Sequence, residues 1–499
     1  LEQGAQDATA LSAPGGVPLT YRSLRKLVSD TLAALNARGI GRNDRIAIVL
    51  DNGPEMAAAF LCVSAGATAA PLNPAYRADE FEFYLTDLKA RLLVVGRESS
   101  SPAVEVAHRL DIPLVRLVPA PATGTGSFTL EFPTGFATRR AEKSGAAAPE
   151  DTALVLHTSG TTSRPKIVPL SQRNVCTSAH NVSRTVAFGA ADRGLNIMPL
   201  FHIHGLIAGI LAPLSAGGEV CCTTGFNALK FFSWMAAVRP TWYTAVPTMH
   251  QAILSRAAKN LDVVRASALR FIRSSSSSLP PQVIRELEET FGIPVIEAYG
   301  MTEAAHQMAS NPLPPGKRKP GTVGQAAGPE VCVIDTEGNP LPSGVVGEIA
   351  IQGENVMPGY ENNPKANAEA YAQSWFRTGD QGVMDAEGYV TITGRLKEII
   401  NRGGEKISPR EVDEVLMDHP SVEQCVTFSV PHDKLGEDVA AAVVLREGAQ
   451  ASEKDLREFA AIRLADFKVP RKILILAEIP KGATGKLQRI GLAQKLGLA

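Results

Sequence analysis

Short apolar runs alternate with helix-like stretches through the first two thirds of the chain. Residues 45–50 (RIAIVL) predict a buried strand, and residues 54–65 predict a helix that begins at a proline. A second strand is expected at 69–72, a second helix at 81–88 and a third strand at 92–95. Strands and helices that alternate at this pace are typical of βαβ units around a parallel sheet.

The pattern changes in two places further along. Residues 119–149 are rich in Ala, Gly, Pro, Ser and Thr, which predicts a loose surface connection. From Val331 onward, short β-rich runs at 331–335, 347–351 and 389–393 lie between glycine-containing turns. These runs predict a smaller antiparallel or β-barrel-like module.

We therefore predict an α/β protein with two domains. Residues 1–393 would form a large N-terminal domain of parallel βαβ sheets with the β-barrel-like module, and residues 394–499 a small, mobile C-terminal α/β domain. A chain of 499 residues is long enough for several folding units with sizeable cores.

Composition excludes several classes of protein. With 44% hydrophobic and 20% charged residues and a net charge of −1, the chain is neither disordered nor built for a nucleic-acid partner. We find no apolar run long enough to predict a membrane span. The six cysteines form no metal-binding pattern and predict reduced thiols in a cytoplasmic location. Because the chain begins at Leu1, we expect the native protein to extend further at its N terminus.

The most informative segment is a loop of hydroxyl groups and glycine that ends in lysine. It follows the apolar residues 153–156, precedes Ile167 and Val168, and reads Thr158, Ser159, Gly160, Thr161, Thr162, Ser163, Arg164, Pro165, Lys166. Backbone N–H groups and hydroxyls could wrap a polyphosphate, and Lys166 would add positive charge. No Gly-Lys-Ser/Thr follows, so this is not a Walker A loop. The segment alone is equally compatible with a solvated turn.

Six further segments follow in order: 199–205 (PLFHIHG), 299–303 (YGMTE), 378–380 (TGD), 394–398 (GRLKE), 403–409 (GGEKISP) and 480–486 (PKGATGK). Together with the hydroxyl-rich loop they resemble the ordered motifs of the acyl-adenylate-forming superfamily. That superfamily includes acyl-CoA synthetases, aryl-CoA ligases, peptide-synthetase adenylation domains and luciferases. The resemblance covers nearly the whole chain.

The resemblance implies an enzyme that uses ATP, Mg²⁺ and CoA. A carboxylate attacks the α-phosphorus of ATP, pyrophosphate leaves, and the thiol of CoA then cleaves the acyl-adenylate. The implied partners are therefore a small-molecule carboxylate, ATP and CoA. The chain is compatible with either a monomer or a homodimer.

The resemblance also implies the nucleotide-site residues. Thr302 matches the residue that contacts the α-phosphate, and Glu303 with Thr162 matches the pair that ligates Mg²⁺. Asp380 matches the carboxylate that holds the ribose hydroxyls, with Arg395 as its partner. The implied ATP and AMP site comprises Thr158, Ser159, Gly160, Thr161, Thr162, Lys166, Ser276, Glu297, Ala298, Tyr299, Thr302, Asp380, Arg395 and Lys486.

Lys486 matches the lysine that bridges the carboxylate and the α-phosphate during adenylation. A flexible ammonium suits this task, whereas we interpret the nearby Lys481 as an exposed surface lysine. The implied catalytic residues are Lys486, Thr302, Glu303 and His202.

Lys397 matches a hinge in the superfamily. Rotation about it would withdraw Lys486 and present a CoA-binding face at Gly403, Gly404 and Glu405. Such alternation needs a residue that absorbs a large backbone change.

The expected acid pocket contains three histidines, a serine and a tryptophan: His202, His204, Trp242, Ser276 and His306. We expect Trp242 and the adjacent Tyr243 to fill the tunnel that a long acyl chain would need. Several hydrogen-bond donors around the remaining space would suit a small, doubly charged acid, because a second buried carboxylate needs donors.

Among the branches of the superfamily, the chain most resembles the oxalate–CoA ligases, so oxalate is the expected acid. Malonate, a medium-chain fatty acid and an aryl acid are alternatives with the same chemistry. A non-catalytic nucleotide-binding regulator and an adenylation domain that loads a carrier protein are alternatives of other classes.

Ile167 departs from the superfamily, which normally has glycine after the loop lysine. If the position required a positive φ, a β-branched residue would be strained there. An ordinary strand position would instead accept it at no cost. Our hypothesis is that Ile167 alters nucleotide affinity or the mobility of the loop.

Overall fold

The computed structural model describes residues 1–136, 138–158, 165–481 and 487–499. Its first part contains β1 (Thr9–Ser12), β2 (Leu19–Thr20), α1 (Tyr21–Asn36), β3 (Arg45–Val49), α2 (Pro54–Ser64), β4 (Thr68–Pro71), α3 (Ala78–Leu88), β5 (Leu92–Gly96), α4 (Pro102–Arg109), β6 (Leu114–Pro119), β7 (Phe128–Glu131), β8 (Thr152–Thr158), β9 (Lys166–Ser171), α5 (Gln172–Thr185) and β10 (Arg193–Asn196).

The middle part begins with a π-helical segment, His204–Leu211. It continues with α6 (Ala212–Ser215), β11 (Glu219–Cys222), α7 (Phe231–Val238), β12 (Trp242–Ala245), α8 (Pro247–Ala257), α9 (Leu261–Arg265), β13 (Phe271–Ser274), α10 (Pro281–Phe291), β14 (Val295–Met301) and β15 (His306–Ser310). Short 3₁₀ turns lie at Pro121–Thr123, Thr302–Ala304 and Asp466–Lys468.

The last part contains β16 (Gln325–Ala326), β17 (Glu330–Ile334), β18 (Gly347–Gln352), α11 (Pro364–Ala370), β19 (Tyr371–Ala372), β20 (Trp375–Met384), β21 (Val390–Arg395), β22 (Ile400–Arg402), β23 (Glu405–Ile407), α12 (Pro409–Met417), β24 (Val422–His432), β25 (Gly436–Leu445), α13 (Glu453–Ala461), β26 (Lys472–Ile475) and α14 (Leu492–Lys495).

Two largely parallel sheets dominate the large domain. The first has seven strands in the order β7-β6-β5-β3-β4-β8-β9. The second has nine, in the order β16-β15-β14-β13-β12-β10-β11-β1-β2. Their inner strands pair in parallel and are apolar and buried, as expected for strands covered on both faces. The predicted βαβ units are confirmed.

Residues 119–149 are more ordered than the predicted loose connection. They contain β7, which pairs antiparallel with β6 at the edge of the first sheet. Phe128 is buried against the core of the large domain. The small and polar residues around it masked this short strand in the sequence pattern.

Local sequence explains where the main helices begin. Helix α1 begins after Thr20, whose side chain accepts a hydrogen bond from the backbone N–H of Ser23. Helix α5 begins with a reciprocal capping box between Ser171 and Asn174. Helix α2 begins with Pro54, which needs no N–H partner in the first turn.

The third sheet is antiparallel and has five strands. Its order is β17-β18-β20-β19, and β21 also pairs with β20. This sheet takes the place predicted for the β-barrel-like module. Strand β21 ends at Arg395, and Gly394 and Arg395 pair with β20. These two residues are therefore part of the sheet of the large domain.

The C-terminal part has its own sheet, which strands β22 to β26 form with α12 and α13 packed alongside. This part shares one cluster of buried apolar residues with the large domain. It touches the large domain through an ion pair of 3.1 Å between Arg446 and Glu286. Gln251 also donates a hydrogen bond of 2.9 Å to the carbonyl of Glu423. In the described part of the chain, we find no helix with the length and apolar character to span a membrane.

Ile167 occupies an ordinary strand position. It pairs with His157 across β8 and β9 and is not among the residues with positive φ. Its side chain is 4% exposed and packs in an apolar cluster with Val155 and Leu72. The departure from glycine therefore introduces no backbone strain and adds a buried side chain.

We expect Ile167→Gly to lower the free energy of unfolding by about 3 kcal/mol, because it leaves a cavity and adds backbone freedom in a strand. Ile167→Val, the matched control, should cost only about 1 kcal/mol. Urea denaturation measures both values. Equal midpoints for wild type and Ile167→Gly would contradict the packing role, and an unchanged ATP KM and kcat would remove the hypothesis that Ile167 tunes nucleotide use.

Candidate active site

A cleft of about 1250 Å³ opens where the two large sheets, the third sheet and the C-terminal part meet. Its floor includes residues at the carboxyl ends of β8, β13 and β14, which is where open α/β sheets bind ligands. The predicted residues that line it are Thr158, Lys166, His202, Ser276, Glu297, Ala298, Tyr299, Thr302, Glu303, His306, Asp380, Arg395 and Lys397.

The hydroxyl-rich loop connects the two strands of a hairpin. Thr158 at the end of β8 pairs with Lys166 at the start of β9, so both lie at the mouth of the cleft. The ammonium of Lys166 lies 4.3 Å from the centre of the Tyr360 ring. The predicted residues Ser159, Gly160, Thr161 and Thr162 lie outside the described part of the chain.

Glu303 is one of the buried carboxylates that line the cleft. It follows the end of β14 in the Thr302–Ala304 turn and accepts a 2.7 Å hydrogen bond from the hydroxyl of Tyr360. Burial raises the pKa of Glu303, although Tyr360, Arg395 and Lys166 act in the opposite direction. Among the described residues no cluster of three or more His, Cys, Asp and Glu side chains could hold a metal ion.

Asp380 lies at the junction of two sheets. Its two carboxylate oxygens accept a hydrogen bond of 2.5 Å from the Tyr299 hydroxyl and one of 2.8 Å from Arg395 Nε. Asp380 and Arg395 are directly opposite each other on β20 and β21. The negative charge of Asp380 raises the pKa of Arg395, and burial raises that of Tyr299.

One wall of the cleft comes from β14 and from the serine run that follows β13. Ser276 has a φ of 73°, an uncommon conformation for a residue with a side chain. Ala298 and Glu297 lie on β14, and Glu297 is 6% exposed. Burial raises the pKa of Glu297 to about 8, against the influence of Arg410 and the N–H of Gly321.

The three histidines occupy two layers. His202 and His306 line the cleft, whereas His204 is fully buried behind it. The ring of His204 lies between the hydroxyls of Ser276 and Thr244, at 2.9 and 2.7 Å. It also stacks on His306, with ring centres 4.9 Å apart. A hydrogen-bonded polar layer therefore supports this end of the cleft.

Trp242 does not line the cleft, which corrects the expectation that it closes the acid pocket. It belongs to a separate apolar cluster with Val186, Phe271 and Ile296. Its ring also lies 4.6 Å from that of Phe188. Tyr243, on the opposite face of β12, packs in another core cluster. Trp242 shares its face of β12 with Thr244 but lies two residues farther from the carboxyl end of the strand, and a single sequence could not show this depth.

The C-terminal part contributes one edge of the cleft. Lys397 lies in the turn after β21, and Leu487 and Arg489 line the cleft beside it. Gly403 and Gly404 form the turn between β22 and β23, and Glu405 is the first residue of β23. None of these three residues lines the cleft. Lys486 lies outside the described part of the chain.

Tyr360 is a functional candidate that sequence reasoning missed. It holds Glu303 by its hydroxyl and Lys166 by its ring, which links two predicted site residues. Its segment lies between β18 and α11 and has no motif that could have marked it. Only the tertiary structure brings the three side chains together.

Comparison with known proteins adds independent information. A model described as AMP-binding enzyme matches residues 2–361, and one described as AMP-binding enzyme C-terminal domain matches residues 411–486. The chain is 45% identical over 494 residues to an oxalate–CoA ligase of Arabidopsis thaliana, covering 98% of this chain and 95% of that protein.

Two further similarities extend over nearly the whole chain. An oxalate–CoA ligase of Saccharomyces cerevisiae is 42% identical over 504 residues, covering 95% of this chain and 92% of that protein. The crystal structure of ATP-bound MatB from Rhodopseudomonas palustris superposes with a TM-score of 0.87 at 28% identity, covering 99% of this chain and 95% of that one.

We expect Glu297 to make stability depend on pH. Because the folded protein raises its pKa from 4.5 to about 8, the native state holds an extra proton between these values. The free energy of unfolding of the wild type should therefore fall by roughly 2–4 kcal/mol as pH rises from about 5 to about 8. Denaturation of Glu297→Gln across this range should lack that decline.

The exposed Glu289 on α10 offers a matched control, because Glu289→Gln makes the same chemical change in solvent. This control should keep the wild-type pH dependence. A wild-type curve that is parallel to the Glu297→Gln curve would contradict the predicted proton uptake.

Proposed function

This chain belongs to the AMP-binding enzyme family, and from that membership we propose an ATP-dependent acid–CoA ligase whose acid is oxalate. The observation that carries the activity is the nearly full-length match to oxalate–CoA ligases at 42 and 45% identity. The polar layer of His204, Ser276 and His306 supports the choice of a small acid, because it replaces the apolar lining that a fatty acid would need.

The reaction has two steps. A carboxylate oxygen attacks the α-phosphorus of ATP, a new P–O bond forms, and the bond to the β-phosphate breaks to release pyrophosphate. The thiol of CoA then loses its proton and attacks the acyl carbon, so that a C–S bond forms and AMP leaves. The first step brings together several negative charges, which the cations of the site must offset.

The nucleotide would lie along β14 and the Asp380 junction. We assign the ribose hydroxyls to Asp380, which has only acceptor oxygens, and the adenine to the wall formed by Ala298 and Tyr299. Thr302 and Lys166 would contact the phosphates from opposite sides of the cleft. The hydrogen bonds from Tyr299 and Arg395 support this assignment because they orient the Asp380 carboxylate in advance.

Mg²⁺ is part of the proposal. Glu303 would supply the buried carboxylate and Thr162 a hydroxyl, which fits an ion that takes one or two protein oxygens alongside phosphates. When bound, the ion would neutralise charge on the phosphates. Tyr360 would hold Glu303 in place by its hydrogen bond.

We assign the adenylation role to Lys486. The residue that follows it, Leu487, lines the cleft with Asp380 and Arg395, which supports a lysine that reaches the α-phosphate in this domain orientation. Gly403, Gly404 and Glu405 do not line the cleft, and we assign the exposure of this face to CoA to a rotation at Lys397. All six cysteines are free thiols, four of them buried, which supports a reducing compartment such as the cytoplasm.

The substrate is tested by pyrophosphate release with oxalate, malonate, octanoate and 4-coumarate, each with and without CoA. We expect saturable turnover with oxalate, and repeated turnover only when CoA is present. Preference for octanoate or coumarate would overturn the oxalate assignment and leave the ligase activity standing. No turnover with any acid would favour a nucleotide-binding regulator.

We expect Lys486→Ala to separate the two half-reactions. Oxalate-dependent exchange of pyrophosphate into ATP should fall by roughly 100-fold or more, because the Lys486 ammonium would no longer balance the negative charge of the transition state. Conversion of preformed oxalyl-AMP and CoA to product should stay within about threefold of wild type.

Lys481→Ala is the matched control, because Lys481 pairs only with the exposed Glu478 at 3.1 Å among the described ion pairs. It should leave both half-reactions unchanged. An equal loss of both half-reactions in Lys486→Ala would contradict the proposed division of labour.

A further inference from the structure

Arg273 is a buried cation without a buried anion beside it. It lies in β13 and is fully buried. Its Nη2 donates a hydrogen bond of 3.1 Å to Gln307 Oε1, while Nε and Nη1 find no hydrogen-bond partner in the part of the chain that the structure describes. No ion pair involves it within those residues, whereas the arginines at 402 and 489 pair with Asp438 and Asp413. A buried charge without compensation is costly, so its presence calls for a functional reason.

The sheet register places Arg273 behind the acid pocket. Arg273 pairs with Thr244 on the neighbouring parallel strand, so both side chains project from the same face at adjacent positions about 5 Å apart. The Thr244 hydroxyl contacts the buried His204, and His204 contacts Ser276 at the cleft. The side chains of Thr244, His204 and Ser276 therefore lead from the strand position next to Arg273 to the cleft.

Arg273 also contacts β15, the strand that begins with His306. Gln307, which accepts the hydrogen bond from Arg273, directly follows His306 on β15. His306 lines the cleft and stacks on His204. The hydrogen bond to Gln307 thus ties Arg273 to β15, and the register with Thr244 ties it to the strand that contacts His204.

We propose that Arg273 is the charge that makes this enzyme prefer a small dianion over a monoanion of the same size. This inference rests on the proposed function. Arg273 acts through the His204 and His306 layer and need not touch the acid, so it is a positioning and specificity residue. In a low-dielectric interior its positive potential extends across that layer, and each additional negative charge on the acid gains from it. The hydroxyls and rings of the layer supply the hydrogen bonds, while Arg273 supplies the charge.

Oxalate and oxamate provide a matched pair of probes, because an amide in oxamate replaces one carboxylate of oxalate. The measured quantity is the KM for oxalate in pyrophosphate exchange relative to the Ki of oxamate as its competitor. We expect the wild type to favour oxalate. In Arg273→Gln this preference should fall by about tenfold or more, and Arg273→Lys should restore most of it.

Gln307→Glu tests the charge without altering Arg273. The carboxylate introduced at position 307 would replace the amide oxygen that accepts the hydrogen bond from Arg273. It would therefore neutralise the charge of the Arg273 guanidinium. We expect the preference for oxalate to fall about as far as in Arg273→Gln, although the arginine is still present. Gln307→Met, which removes the hydrogen bond and adds no charge, should keep the preference. The KM for ATP should be unchanged in all four variants.

The outcomes separate the two claims. If the wild type does not adenylate oxalate, the proposed function fails. If it does, but Gln307→Glu and Arg273→Gln keep the wild-type ratio between the two probes, the role of Arg273 is wrong. Equal weakening of oxalate and oxamate in these variants would show a purely structural role and would also overturn it. Should Arg273→Gln fail to fold, the comparison of Gln307→Glu with Gln307→Met decides alone.

Discussion

The arrangement of the cleft depends on the hydrogen-bonded carboxylate of Asp380. Tyr299 reaches it from the second sheet, and Arg395 reaches it from the neighbouring strand of the third sheet. Arg395 is also the last residue of its strand, immediately before the turn that contains Lys397. A single buried anion therefore fixes two sheets relative to each other and anchors the end of the large domain. Because a buried carboxylate must be paired, the chain can form this cleft only with all three elements in place.

The acid pocket follows the same physical rule. His204 lies between two hydroxyls and stacks on another imidazole, so both of its ring nitrogens have partners. Glu303 is held in a similar way by the Tyr360 hydroxyl. Such fully connected networks restrict side-chain motion, which keeps reacting groups oriented before a substrate arrives. The cations Lys166 and Arg395 line the cleft, whereas Arg273 is buried outside its lining.

The C-terminal part contacts the large domain through polar and apolar groups, since buried residues of both belong to one apolar cluster. Its contacts with the large domain include the ion pair of Arg446 with Glu286 and the hydrogen bond from Gln251. Partly exposed polar contacts of this kind contribute little free energy each, so they can exchange for others. This balance is compatible with a domain that changes its orientation about Lys397 during a two-step reaction.

The sequence by itself determined the class of fold, the alternation of strands and helices between residues 45 and 95, and the motifs of the nucleotide site. These features depend on local periodicity, on turn residues and on short motifs whose functional groups are close together in the sequence. Tertiary structure alone decided which side chains meet across the chain. Trp242 is a residue type that often lines ligand pockets, but its position in β12 places it in a separate core cluster. Tyr360 carries no motif that assigns it a role, and the contacts of Tyr360 and Arg273 follow from strand register and from the packing of distant segments. Side-chain direction in a sheet alternates with every residue, so a pattern can predict a strand without showing which face meets the site.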